Sequence, residues 1–221
     1  MTVAKSPVTI TRTQATFLTP HSLAEGLAFL SAAEPYFGRI HTRLGAPPMW
    51  ARTPGFPTLV YIILEQQVSL ASAKAAFTKL EQAAGTITPQ AFLRFSDEEL
   101  RTIGFSRQKA GYCRGLAQSI LNGELELDEL AALPDDQVRA TLTGIKGIGP
   151  WTANIYLLMV LLRPDIWPAG DLALAVAYQK LKQLPARPGT QELDAIAERW
   201  RPWRAVAARL LWHDYLNPSN I

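Results

Sequence analysis

Leu142-Thr143-Gly144-Ile145-Lys146-Gly147-Ile148-Gly149-Pro150-Trp151-Thr152-Ala153-Asn154 is the stretch from which the rest of the chain can be read. Gly144, Gly147 and Gly149 fall within six residues, and glycines so close together allow positive φ and the near approach of another backbone. Pro150 stands where a helix would begin, leaving neighbouring amides aimed outward at the positive end of the helix dipole. The pattern predicts a helix end, a tight hairpin and a fresh helix. Such a hairpin can hold a phosphate on main-chain N–H groups alone. A helix–helix turn with no ligand is the competing reading of the same residues.

Upstream lies a weaker echo. Residues 100–111 read LRTIGFSRQKAG, again a helix end, a glycine turn and a helix start. Ser96-Asp97-Glu98-Glu99 opens the first of these helices as a capping box and Gly104 stops it, while Ser106 caps a longer helix to about residue 121. Leu23, Leu27 and Leu30 form an apolar stripe at helical spacing after Pro20-His21-Ser22. Further helices are predicted over 55–68, 70–83, 151–162, 171–184, 191–200 and 202–216, with one more opened by Pro134-Asp135-Asp136. Only the Thr/Val-rich start, residues 8–18, reads as strand. An all-α fold is the expectation. Prolines at 47–48, 164 and 185–188 mark breaks between lobes, none long enough to be a flexible linker.

Composition narrows the function classes. The chain has 221 residues, 48% hydrophobic and 19% charged, which excludes a disordered protein. Its longest apolar run, residues 155–162, is eight residues against the roughly 20 that span a bilayer. No basic-then-apolar leader opens the sequence, so a cytoplasmic protein is expected. One cysteine, Cys113, rules out an intrachain disulfide and a cysteine-ligated cluster, and it is expected to face the core. Three scattered histidines and no HExxH argue against zinc, and neither GxSxG nor GxxxxGK[ST] occurs. Net charge is +3, unevenly spread: residues 124–136 hold six acids and no Lys or Arg. A basic face with an acidic back suits a polyanion, though ordinary solvated helix faces would look alike.

Twenty residues after Trp151 stands Asp171, in Trp167-Pro168-Ala169-Gly170-Asp171-Leu172. Alone, such an Asp is an N-cap and such a Trp is core. Together, the hairpin, Trp151, the intervening helix and Asp171 resemble the helix-hairpin-helix Gly/Pro–Asp motif of base-excision DNA glycosylases. Within that superfamily the chain is similar to the 3-methyladenine DNA glycosylase II family. Residues 62–69 (IILEQQVS), 104–110 (GFSRQKA), 197–204 (AERWRPWR) and Leu211-Trp212 match further segments, covering roughly residues 50–216.

The resemblance implies a single domain over 1–221. Its middle lobe spans 55–165, a second lobe joins 1–54 to 166–221, and a DNA cleft lies between them. It implies a monomer acting on double-stranded DNA that holds a damaged base. The damaged nucleotide is flipped out and its N-glycosidic bond hydrolysed, with no organic cofactor and no catalytic metal. Asp171 matches the catalytic carboxylate, and Trp151 and Trp212 match base-pocket aromatics. Ile155 and His213 stand at further pocket positions where relatives often carry aromatics. Gly144, Lys146, Gly147 and Gly149 belong to the phosphate-gripping hairpin, and Gln67, with Gln66 beside it, stands where the family places its wedge. Arg107, Lys109, Arg201 and Arg204 are candidate phosphate contacts. Trp151 occupies the position where bifunctional relatives carry an amine nucleophile, so strand nicking is not expected. A non-catalytic DNA-binding hairpin protein and a bifunctional glycosylase–lyase remain the alternatives.

Overall fold

A computed structural model describes residues 17–218. These form twelve α-helices: α1 (Pro20–Ala33), α2 (Pro35–Leu44), α3 (Phe56–Glu65), α4 (Leu70–Ala84), α5 (Pro89–Leu93), α6 (Asp97–Ile103), α7 (Arg107–Leu121), α8 (Asp135–Thr143), α9 (Pro150–Ile155), α10 (Leu172–Leu181), α11 (Thr190–Ala197) and α12 (Arg204–Leu216). There is no strand among the described residues. The strand expected at 8–18 falls outside them except for Phe17 and Leu18, which are not extended pairs. No helix is long and apolar enough to cross a membrane.

Local chemistry accounts for most helix ends. Ser96 and Glu99 form the expected capping box, Gly104 closes α6 in the left-handed conformation, and the Ser106 hydroxyl accepts the Lys109 N–H to start α7. Pro134 is the N-cap of α8 rather than part of its first turn. The helix expected over 151–162 changes character: α9 gives way after Ile155 to a π-helical turn, Tyr156–Val160. α2 was not foreseen; Pro35 starts it, and Tyr36, Phe37 and Ile40 bury its inner face.

The helices sort into two groups around one continuous apolar core. α1, α2, α10 and α12 pack on one another, and α11 joins them through a 3-10 turn, Glu198–Trp200. Gly26 permits the close crossing of α1 and α12: a Cβ there would lie 2.9 Å from the Val206 Cγ2. α3, α4, α6, α7, α8 and α9 form the other group, with α5 against α7.

Arg209 of α12, fully buried, stitches the groups together. It donates to the carbonyls of Met49, Ala205 and Leu158 at 3.0, 3.1 and 2.7 Å. Burial pulls its pKa down to about 10, so the guanidinium stays protonated at neutral pH. Through Met49 it fixes the segment carrying Trp50. Beside that segment, Arg52 pairs in fork geometry with the buried Glu65 at 2.7 and 2.8 Å.

Candidate active site

Asp171 is the N-cap of α10, and its Oδ1 accepts the Leu174 N–H at 3.0 Å. A capping role alone would use one acceptor. Here Oδ2 also accepts the Trp151 Nε1–H at 2.9 Å, and Oδ1 the Trp212 Nε1–H at 3.2 Å. Every partner donates, so the carboxyl is held as an acceptor in one orientation between two indoles. Trp151 comes from the start of α9, one residue past the hairpin, and Trp212 from α12. Both helix groups therefore converge on one carboxylate.

Trp50 extends the aromatic surface. Its ring stands edge-on to Trp212 and to the His213 ring, each at 6.3 Å between centroids. It adopts φ 46, a left-handed conformation unusual for a bulky residue. Sequence reading missed it, and Arg209 with it, because only a contact across about 160 residues reveals them. The Met49-Trp50 pair following two prolines is the faint signal present. His213 meets the site only through Trp50, its Nε2 lying 3.3 Å from the Leu44 carbonyl oxygen. Ile155, expected in the base pocket, is 2% exposed and belongs to the core.

Of the three hairpin glycines only Gly147 has positive φ, at 93°. Gly144 is an ordinary αR residue that caps α8, and Gly149 sits at φ −88 as the N-cap of α9. Gly147 is demanded twice over, since a Cβ would lie 2.1 Å from Cγ of Tyr112, whose ring covers it. Nothing lies within 4 Å of a Cβ at Gly149, and α9 has no side-chain cap. The N–H groups of Gly147 and Gly149 have no hydrogen-bond partner among the described residues. Gly149 is exposed and Gly147 half-buried, and both N–H groups are donors open to an anion. Lys146, also exposed, shares a shallow depression with Arg107, Gln108, Gly111 and Tyr112.

Four residues depart from their sequence-based assignments. Lys109 is not a phosphate contact: its Nζ donates to the Leu64 and Gln66 carbonyls at 2.6 and 2.8 Å, and burial lowers its pKa. Arg204 is bound to Asp165 and Glu198, and Arg201 to the same two acids, so neither presents a free charge. Gln66 is no wedge, because its Nε2 turns inward to the Gly147 carbonyl and the Thr152 Oγ1, both at 2.9 Å. Gln67, by contrast, is exposed at φ 56 on the turn after α3. Cys113 faces the core as expected, and burial pushes its thiol pKa up, so it is inert.

A glycine hairpin with open amides, followed at fixed distance by a cleft carboxylate, prompts comparison with known proteins. The sequence profile of the HhH-GPD superfamily of base excision DNA repair proteins matches residues 60–202. DNA-3-methyladenine glycosylase 1 of Schizosaccharomyces pombe is 30% identical over 172 residues, 74% of this chain and 75% of that protein. The chain belongs to this family. DNA-3-methyladenine glycosylase 2 of Escherichia coli is 31% identical over 188 residues, 77% of this chain and 63% of that protein. The solved structure of the S. pombe enzyme Mag1 in complex with abasic DNA superposes with a TM-score of 0.80 and 27% identity, over 85% of this chain and 95% of that one. The chain spans just over half the length of two Bacillus subtilis relatives it matches.

Proposed function

We propose that the protein is a monofunctional DNA glycosylase. It releases alkylated purines of the 3-methyladenine and 7-methylguanine type from duplex DNA, leaving an abasic strand. The observation that carries this reading is Asp171, gripped by the indole N–H groups of Trp151 and Trp212 at the mouth of the hairpin. A pure DNA-binding hairpin has no use for such a carboxylate or for indoles around it.

The chemistry follows from the groups present. Alkylation at a purine ring nitrogen leaves a cationic base, already a good leaving group. An indole face attracts such a cation by about 0.5–2 kcal/mol. The base departs with the electrons of its N-glycosidic bond, and positive charge develops at C1′ and the ring oxygen. The Asp171 carboxylate stabilises that charge. Water then adds to C1′ and gives its proton to Asp171 or to solvent. Flipping costs a few kcal/mol, least for a damaged base, and the Gln67 side chain fills the gap. Gly147 and Gly149 amides grip a phosphate of the opened strand, with Lys146 and Arg107 beside them. The duplex lies in the cleft between the lobe of 55–165 and the lobe of the two ends, one copy of the chain per lesion. The protein works in the compartment that holds the DNA.

An amine nucleophile is missing from this arrangement. Trp151 occupies the position after the hairpin, Lys109 is spent on backbone carbonyls, and Lys146 faces the Arg107 depression. No Schiff base forms, so the strand stays intact.

Base release from methylated duplex DNA, scored with nicking before and after alkali, tests the reading. Wild type should release 3-methyladenine and nick only after alkali, and Asp171→Asn should lose at least about 100-fold in rate. Nicks before alkali would replace the glycosylase by a lyase. Duplex binding without base release would leave only the binding module.

A further inference from the structure

The end of α3 is held from two sides. Gln66 N–H bonds back to the Ile63 carbonyl at 3.3 Å, and the chain then turns sharply through Gln67 at φ 56. The turn leaves carbonyls at the end of α3 without the helical partners they would otherwise have. Lys109 takes two of them, Leu64 at 2.6 Å and Gln66 at 2.8 Å, as a cation at a helix C-terminus should. The Gln66 side chain runs the other way, to the Gly147 carbonyl in the hairpin and to the hydroxyl of the buried Thr152 in α9. Tyr112 stands one helical turn beyond Lys109 on the same face of α7 and closes the loop by covering Gly147.

A plain helix cap needs only Lys109. What needs explaining is the second tether, reaching across about 81 residues of sequence from the Gln67 turn to the hairpin. Immediately after the residue on which both tethers meet comes Gln67, a non-glycine residue in the left-handed region with its side chain in solvent. Backbone conformations of this kind persist only where the surroundings impose them, and they gather at functional sites.

We propose that Lys109 and Gln66 are positioning residues for strand opening: together they fix the Gln67 turn against the glycine hairpin, so that gripping the phosphate and filling the vacated stack occur in one register. The inference rests on reading Gln67 as the wedge. Neither positioning residue touches the lesion.

The test uses the full-length protein and duplexes carrying 2-aminopurine beside a methylated purine, or beside a tetrahydrofuran abasic analogue. Fluorescence reports unstacking, anisotropy reports affinity, and single-turnover base release reports chemistry. Lys109→Met and Gln66→Leu should each suppress the fluorescence rise and slow release about 10–30-fold, with duplex affinity within about threefold of wild type. Lys109→Arg, which can still donate to both carbonyls, should recover most of the loss. Adding Lys109→Met to Gln67→Gly should change the rate by less than about twofold, because the lysine acts through that side chain. Should Lys109→Met melt below the assay temperature, Gln66→Leu carries the test.

An intact fluorescence rise in Gln67→Gly would remove the wedge and this inference with it. A loss in Gln67→Gly that neither Lys109→Met nor Gln66→Leu reproduces overturns the inference alone. So does full additivity in the double variant.

Discussion

Residues 100–111 and 142–154 repeat one pattern, helix–glycine turn–helix, yet only the first caps its new helix with a side chain. In the first turn the Ser106 hydroxyl takes the Lys109 N–H and the neighbouring Lys109 side chain is drawn inward to α3. In the second, Gly149 offers no side chain, Pro150 has no N–H, and the amides of Gly147 and Gly149 stay open. A serine in the first turn supplies a side-chain cap that the glycine of the second cannot. A glycine-rich helix turn is therefore a binding site only when nothing local satisfies its donors.

Substitutions that exchange or remove these features probe the contrast. The largest effect is expected at Gly147. With φ at 93° and the Tyr112 ring 2.1 Å from any Cβ, Gly147→Ala should cost about 3 kcal/mol by urea unfolding and abolish tight duplex binding. Gly149→Asp installs a cap like that of the first turn where no atom lies within 4 Å. Stability should stay within about 0.5 kcal/mol of wild type while duplex affinity falls at least about tenfold, since the new carboxylate repels phosphate beside the Gly147 and Gly149 amides. Unchanged affinity there would strip the hairpin of its role.

The matched change in the first turn, Gly104→Ala, meets φ 119 and the Ala76 Cβ at 3.2 Å. It should lose about 1–2 kcal/mol of stability and leave duplex affinity alone. A binding loss as large as that of Gly149→Asp would make both turns DNA contacts. Lys146→Ala and Arg107→Ala should each lower the slope of log affinity against log salt by about 0.9, whereas Arg204→Ala, already neutralised by Asp165 and Glu198, should not.

The smallest effect concerns the capping box. The Ser96 N–H and hydroxyl hold the Glu99 carboxyl below its usual pKa. Because the folded value is depressed, the box contributes fully above the unfolded carboxylate pKa, and its contribution fades as pH falls through the folded one. A carbon-detected titration of Glu99 should show a midpoint below that of an unstructured glutamate.

What could be read in advance was local. Ser96, Gly104, Ser106 and Asp171 announce themselves within a few residues, because caps and stops depend on near neighbours. The same locality explains the errors. Gln66, Lys109 and Arg204 look like free polar side chains until α9, α3 and Asp165 are folded against them. Family resemblance located Asp171, Trp151 and Trp212, but only the fold joined the three by hydrogen bonds. Trp50, brought beside Trp212 by a buried arginine, lay beyond both routes.

Asp171 serves three masters at once: the start of α10, the Trp151 indole and the Trp212 indole. Losing it leaves three N–H donors without their acceptor in a single mutational step. In evolutionary terms the residue works as a ratchet. A descendant that drifted away from base excision could not shed its acid by a neutral path. It would have to rebuild a helix start and two aromatic contacts in the same stroke. Architecture of this kind lets a carboxylate outlast the selection that first favoured it, so an idle acid on this scaffold would remain as a fossil of former chemistry.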